Sequence, residues 1–325
     1  MDSKPTIWLL LDDKPGNCNQ VLGVAEQLSK LGKYNIVKKQ LYHNKRANLP
    51  NFLWLGFLFG VDVNKSDDLN HDLPDLVISA GRRNALPALY IKNKSGGHTK
   101  LVHIMHPGAN RHNFDMVVMP KHDCKKGNKI LNVTGSPNNI DAAELKAQIA
   151  EWDVQIKALP KPHIAVLIGG NTKNTKFTEQ MAHRLVKHLN KCVGFVTGSL
   201  LITTSRRTPK KVCEIIKNSF NKDAYFYQWE AGKSNPYYAF MGAADSIVVT
   251  GDSMGMVSEA CSTGKPVYIY NPRGLAPQKH RKLHKTVVDA NMARYLDKDT
   301  NFESWSYTPL NDAKIVADMV KDLLN

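Results

Sequence analysis

The sequence predicts an α/β protein built from two doubly wound, Rossmann-like domains. Strand-like apolar runs alternate with helical patterns along the whole chain, the signature of parallel sheets covered by helices on both faces. A double-proline stretch divides the chain near its middle, and residues 250–270 read as strand end, glycine turn, helix and strand in unbroken succession. With 325 residues and 42% hydrophobic content, the chain exceeds one usual core and can fill two.

The first domain, residues 1–157, carries predicted strands at 7–11, 35–41, 75–79, 100–105 and 116–119. Ala158-Leu159-Pro160-Lys161-Pro162 reads as a linker, because its prolines cannot continue a helix and hold the chain extended. The second domain, residues 158–311, has strands at 163–168, at 193–197 or slightly beyond, and at 224–228, 246–249 and 266–270. Between its first two strands Phe177, Met181, Leu185, Val186 and Leu189 share a helical face, with Arg184, Lys187 and Lys191 opposite. Residues 254–262 form a helix, and residues 312–324 a closing amphipathic one.

Doubly wound domains bind ligands at the carboxyl ends of their strands, and two of them are expected to face a central cleft. After the first strand, Asp12-Asp13-Lys14-Pro15-Gly16-Asn17-Cys18-Asn19-Gln20 leads into a helix. Gly16 permits close approach of a ligand, and Asp12 or Asp13 suits a general base when burial or pairing tunes it; the same residues also suit an Asx-rich helix cap. Arg82 and Arg83 set two guanidiniums beside a helix start, where they grip a phosphate or carboxylate, or divide into one solvated and one salt-bridged residue. His106 follows a strand and is a candidate acid or base. His103, His106, His112 and His122 match no standard zinc spacing, so no metal is expected.

In the second domain, Gly169, Gly170, Asn171, Thr172 and Lys173 follow a strand and suit a diphosphate, without the spacing of a Walker loop. Ser205, Arg206 and Arg207 add a hydroxyl and paired arginines before a helix with Pro209 near its start. At the turn Asp252-Ser253-Met254-Gly255 the helix N-terminus favours an anion, and Glu259, about two turns in, can reach the hydroxyls of an attached ribose. A plain βαβ unit, with turn-making glycines and a solvated glutamate, fits the same residues.

Forty-four Lys and Arg against twenty-nine Asp and Glu give a net charge of +15, dispersed along the chain. No zinc-finger spacing or aromatic RNP strand accompanies it, so an anionic membrane surface or a phosphate ligand is the expected partner rather than nucleic acid. Five scattered cysteines without a C-x-x-C pair point to a reducing compartment. No signal peptide precedes Ile7, and no run reaches the roughly 20 apolar residues of a spanning helix. The expected location is cytoplasmic, peripheral on the inner face of the cytoplasmic membrane. Residues 52–61, FLWLGFLFGV, read either as a buried element or as a patch, led by Trp54, that dips into a bilayer interface.

Taken together, DDKPGNCNQ (12–20), SAGRRN (79–84), HPGANRHNFDMVVMPKHD (106–123), GGNTKNTKF (169–177), ITTSRRTP (202–209) and TGDSMGMVSEACSTGKPVYIY (250–270) resemble the mitochondrial-fission elongated-mitochondria family over nearly the whole chain. The last motif is also similar to the donor-sugar motif of the membrane-associated N-acetylglucosaminyltransferase of peptidoglycan synthesis. The resemblance implies a GT-B fold with a donor nucleotide in the second domain, Glu259 on its ribose and the turn from Asp252 to Gly255 near its diphosphate. It places the acceptor on the first domain, at Gly16, Asn17, Asn19, Gln20, Arg82 and Arg83, and implies a C-terminal helix that crosses back to that domain. Bacterial members often carry histidine where this chain has Asn17, so the base falls to Asp12, Asp13 or His106. The function expected is that of a cofactor-free, metal-independent glycosyltransferase moving a sugar from a nucleoside diphosphate sugar to a membrane-associated lipid or cell-envelope glycan. A nucleotide-sugar epimerase and a non-catalytic membrane-recruitment adaptor are the alternatives.

Overall fold

The computed structural model describes residues 4–324 except 55, 109–110, 124–126, 197 and 221–222. The chain divides into two compact units, residues 1–139 with 311–325, and residues 140–310. Unit 1 runs β1 (Thr6–Leu11), α1 (Pro15–Leu31), β2 (Asn35–Gln40), β3 (Leu76–Ala80), α2 (Arg82–Lys94), β4 (Lys100–Ile104), β5 (Met116–Pro120) and β6 (Ile130–Val133). Its six strands form one parallel sheet in the order β2-β1-β3-β4-β5-β6.

Unit 2 opens with α3 (Ala142–Glu151) and α4 (Asp153–Lys157). It continues through β7 (His163–Ile168), α5 (Glu179–Val196), β8 (Ser199–Thr204), α6 (Lys210–Lys217), β9 (Ala224–Tyr227), α7 (Tyr237–Ala243) and β10 (Ser246–Thr250). It ends with α8 (Met254–Ser262), β11 (Val267–Tyr270), α9 (Gln278–Asp289) and β12 (Ala293–Tyr295). A second parallel sheet follows the order β12-β11-β10-β7-β8-β9. The closing helix α10 (Asp312–Leu324) belongs to unit 1, where Val316, Ala317 and Val320 join the core built on β1, β3 and α1. Asp312 anchors its start to the turn after β6 by accepting from the Thr134 and Gly135 amides at 3.1 and 2.6 Å.

Central strands such as β7 are buried at every position, as expected for parallel strands covered on both faces, and this is why they stand out as unbroken apolar runs. Two expectations need correction. The strand expected at 193–197 is helix through Val196, with residue 197 outside the described residues, because the helical period of Leu185, Leu189 and Cys192 simply runs on. The strand itself, β8, starts after Gly198, where a Cβ would lie 2.3 Å from the Pro162 carbonyl oxygen. The junction expected at 157/158 falls inside unit 2: α3 and α4 precede it, and Leu145 and Ile156 are buried with Phe240 and Met241 of α7. Of the two readings of residues 52–61, Trp54 takes the buried one: it is 8% exposed and packs over Gly60, while Phe52 at 76% and Leu53 at 49% are the exposed part of that segment. Residue 55 of the same run lies outside the described residues. Among the described residues no helix is long and apolar enough to cross a membrane.

Candidate functional site

Each sheet has a point at which strand order reverses, and there the loops leaving two neighbouring strands diverge to open a crevice. In unit 1 that point lies between β1 and β3, and in unit 2 between β7 and β10. The loops singled out in the sequence leave these strands and their neighbours.

In unit 2 the loops after β7, β8 and β10 are tied around one buried carboxylate. Asp252 Oδ2 accepts from the Gly170 amide at 2.8 Å and from Arg207 Nη2 at 2.9 Å, while Oδ1 accepts from the Thr250 hydroxyl at 2.7 Å. The same hydroxyl accepts from the Gly169 amide at 2.7 Å, and Arg207 Nη1 donates to the Asn171 carbonyl at 2.7 Å. Both glycines are required by this closeness: a Cβ on Gly169 would stand 2.3 Å from the Asp252 carboxylate, and one on Gly170 2.1 Å from the Arg207 carbonyl. Asp252 therefore acts within the protein, holding Arg207 in place, and does not point outward. Thr172 and Ser205 likewise bond within their own turns, to Thr175 and Thr208. Lys173 and Arg206 are exposed, with no ion pair among the described residues.

The start of α8 follows directly. Ser253 caps it, its Oγ accepting from the Met256 amide at 3.4 Å, and the first-turn amides of Met254 and Gly255 have no carbonyl within the helix to bond. A Cβ on Gly255 would meet nothing closer than 4.0 Å, so there is open space beside this first turn. Glu259 is 8% exposed and accepts from the Tyr237 hydroxyl at 2.6 Å. Burial, and then the neighbouring Glu259 charge, push the Tyr237 phenol well above its ordinary pKa, so it stays a donor. Tyr237 was not anticipated, because nothing in its spacing from Glu259 announces that α7 and α8 are neighbours.

In unit 1 the corresponding pair is Asp12 and Arg83. Asp12 accepts from the Lys14 amide at 3.0 Å, from Asn17 Nδ2 at 3.0 Å and from Arg83 Nη2 at 3.3 Å. Arg83 also donates to the more exposed Asp13. Partial burial raises the Asp13 pKa, but the Arg83 hydrogen bond and charge outweigh it and leave the carboxyl below its ordinary value. Arg82 is turned away to clamp the segment before it, donating to Ala47, Leu49 and Asn51. Gln20 is buried and donates to the Gly16 carbonyl at 2.9 Å; Gly16 itself has open space around it, and Asn19 is half-buried in the same helix. The exposed His106 accepts the Gly108 amide at Nδ1, 3.0 Å away, so the neutral ring carries its proton on Nε2. Residues 109–110 and 124–126, near the histidine-rich segment, lie outside the described residues. Asp12, Asp13 and His43 bring possible metal-ligand atoms within 4.8 Å of one another. Arg83 already balances the two carboxylates, and burial followed by the Arg83 charge lowers the His43 pKa, so a dication would have to compete with a guanidinium.

The chain matches the family described as Mitochondrial fission ELM1 over residues 15–324. An uncharacterized protein of Rickettsia prowazekii is 35% identical, over 97% of both chains. The mitochondrial fission protein ELM1 of Arabidopsis thaliana is 30% identical over 77% of this chain and 64% of its own length. Among solved structures, the UDP-GlcNAc 2-epimerase of Methanocaldococcus jannaschii, in complex with UDP-GlcNAc and UDP, superposes with a TM-score of 0.54 at 15% identity, covering 98% of this chain and 99% of the other. MurG of Acinetobacter baumannii gives 0.51 at 12% identity, over 99% and 91%. These likenesses establish a GT-B-like α/β fold with two parallel sheets. With its sequence matched from the first helix to the last, the chain belongs to the Mitochondrial fission ELM1 family.

Proposed function

We propose that this protein is a metal-independent glycosyltransferase that takes a sugar from a nucleoside diphosphate bound by unit 2 and places it on a hydroxyl of a membrane-associated lipid or cell-envelope glycan. The observation that carries this reading is the knot at the strand reversal of unit 2. Asp252 fixes Arg207, the α8 start presents its first-turn amides, and Tyr237 fixes Glu259, so a cation, a dipole and a ribose acceptor are all pre-set. The similarly folded UDP-GlcNAc 2-epimerase of Methanocaldococcus jannaschii is found in complex with UDP-GlcNAc and UDP, which supports a nucleotide sugar here.

In the transfer, the acceptor oxygen bonds to the anomeric carbon as the bond to the diphosphate breaks. Arg207, Arg206, Lys173 and the α8 amides stabilise the departing charge, the work a metal does elsewhere. Asp13, ionised and the more exposed of the two acids in unit 1, takes the acceptor proton. The pairing of Arg83 with both acids favours a reaction without a metal at those carboxylates.

The test is calorimetric binding of nucleoside diphosphates and their sugars to wild type and Glu259→Ala. We expect selective binding that weakens in the variant by about 1.5–3 kcal/mol, the range for a hydrogen bond to a charged group. Equal affinities would remove Glu259 from the donor site, and donor turnover without any acceptor would indicate an epimerase.

A second reading, a non-catalytic adaptor recruited to membranes, is favoured by the exposure of Leu49, Phe52 and Leu53 beside the exposed Lys45 and Arg46. Either reading is served by a peripheral position on the inner face of the cytoplasmic membrane. Flotation with anionic vesicles should be lost on Phe52→Ser with Leu53→Ser; full flotation of that folded variant would dismiss the patch.

A further inference from the structure

We infer that His280 is a proton-linked ligand of the diphosphate in unit 2, so that a nucleoside diphosphate sugar binds with uptake of a proton. This rests on the donor reading above and deepens it.

The placement comes from α9, which carries His280 and His284 four residues apart and therefore on one face. His284 is fully buried with its ring against Gly251: a Cβ added to that glycine would lie 2.6 Å from His284 Cε1. This face of α9 is thus turned to the Gly251-Asp252 turn, and His280, one helical turn nearer the α9 start, meets its Asp252 end. Beside that turn two buried polar atoms have no hydrogen-bond partner among the described residues, Nδ1 of His280 and Oδ1 of Asn271. The Asn271 oxygen would be 3.2 Å from the same Gly251 Cβ. Native interiors rarely leave such groups unpaired, so the turn is set to be completed by something bound there.

The two histidines divide the roles. His284 is enclosed, and burial, then His280, hold its pKa at about 4, so it stays neutral and packs the turn. His280 is only half-buried, and the charged or titratable groups facing it are Asp252 and Arg207 from the donor loops, with Lys279 and His284 of its own helix. Burial, helped by Arg207 and Lys279, outweighs the Asp252 backbone bond and charge and holds the His280 pKa below its ordinary value in the free protein. A diphosphate adds negative charge beside Arg207, which reverses that bias and makes the imidazolium a further cation on the departing group. Sequence reading absorbed His280 into the basic run from Lys279 to Lys285; only the contact of His284 with Gly251 separates it from the solvated lysines.

The experiment is titration calorimetry with whichever of UDP-N-acetylglucosamine, GDP-mannose and ADP-glucose binds wild type tightest, because these diphosphate diesters keep a constant charge from pH 6 to 8. Wild type should bind more tightly as pH falls, by up to about tenfold per unit, and take up a proton when buffers of different ionisation heat are compared. His280→Asn, checked for unchanged melting, should bind with the same affinity at pH 6 and pH 8 and take up no proton. Binding independent of pH in wild type, or proton uptake retained in the variant, would overturn the inference and leave the donor reading standing. Failure of folded wild type to bind any of the three would overturn both.

Discussion

Replacing Asp252 tests whether one carboxylate organises the donor loops. Its side chain is fully buried and accepts from Gly170, Arg207 and Thr250. In Asp252→Asn the amide can keep the Gly170 and Arg207 bonds on its oxygen, and the Thr250 hydroxyl can turn to accept from its NH2. What is lost is the charge, which separates a bond of about 1.5–3 kcal/mol from one of about 0.5–1.5. Two such losses, discounted because the Arg207 side chain is 37% exposed, come to about 2 kcal/mol. Asp252→Ala goes further, stranding the Gly170 amide and the Thr250 hydroxyl, and should cost about 3–5 kcal/mol, as breaking a buried pair does. Because the chain has two units, urea unfolding should be fitted with two transitions, and hydrogen exchange across 166–172 identifies the one that moves. Arg207 freed from its anchor should also weaken nucleotide binding. An alanine variant within about 0.5 kcal/mol of wild type, an ordinary surface effect, would refute the knot as an energetic unit.

Gly170→Ala should destabilise unit 2 by about 1–3 kcal/mol in the same unfolding assay, since the added Cβ meets backbone at Arg207 that cannot swing aside. His284, held near 4 when folded against 6.5 unfolded, contributes stability that is fully present above pH 6.5 and is lost as pH falls toward 4. At about 1.4 kcal/mol per unit this amounts to roughly 3 kcal/mol, and His284→Gln should flatten the acid limb of unit 2 unfolding by that amount. Asp312→Ala strands two amides in the 134–135 turn and should raise hydrogen exchange in α10 and in the α1 face it covers, while Asp312→Asn, which retains an acceptor, should do so less.

The architecture was legible because central parallel strands announce themselves as apolar runs and their loops carry glycine and charge. The short edge strands did not announce themselves: β6 is mostly half-buried and β12 has one buried residue of three, so neither has a run to detect. Site residues were legible by position and illegible by direction. Asp252 and Arg207 were found as neighbours of a phosphate, but their turn toward each other depends on adjacency of β7, β8 and β10 that no local pattern encodes. Arg82 and Arg83 are consecutive and chemically equal in sequence; their opposite fates follow from the helix start, which aims one at Asn51 and the other at Asp12. For Trp54 burial and exposure both fit the sequence, since an aromatic in an apolar run reads the same whether Gly60 leaves room to bury it or not.

Asn17 sits between the Asp12 carboxylate and Gly81. Its amide donates to Asp12, and it fills the space that Gly81, at φ +76°, leaves open; a Cβ on that glycine would lie 2.5 Å from Asn17 Nδ2. The Asp12 carboxylate is therefore held by donors whose charge does not change near neutrality: the Asn17 amide, the Arg83 guanidinium and the Lys14 backbone. Its neighbour Asp13 is kept ionised by Arg83, and His43 is kept from protonating by burial and by the same guanidinium. A transfer reaction relying on this set should run flat through neutral pH on the acceptor side, leaving His280 in unit 2 and the exposed His106 in unit 1 as the candidate sources of dependence between pH 6 and 8. Asn17→His would put an ionisable donor against the same carboxylate and, where the ring is accommodated, add a second limb to the activity profile. A single limb that vanished with His280→Asn and was unaffected at Asn17 would locate pH control in unit 2, while a limb surviving His280→Asn would return it to the first unit.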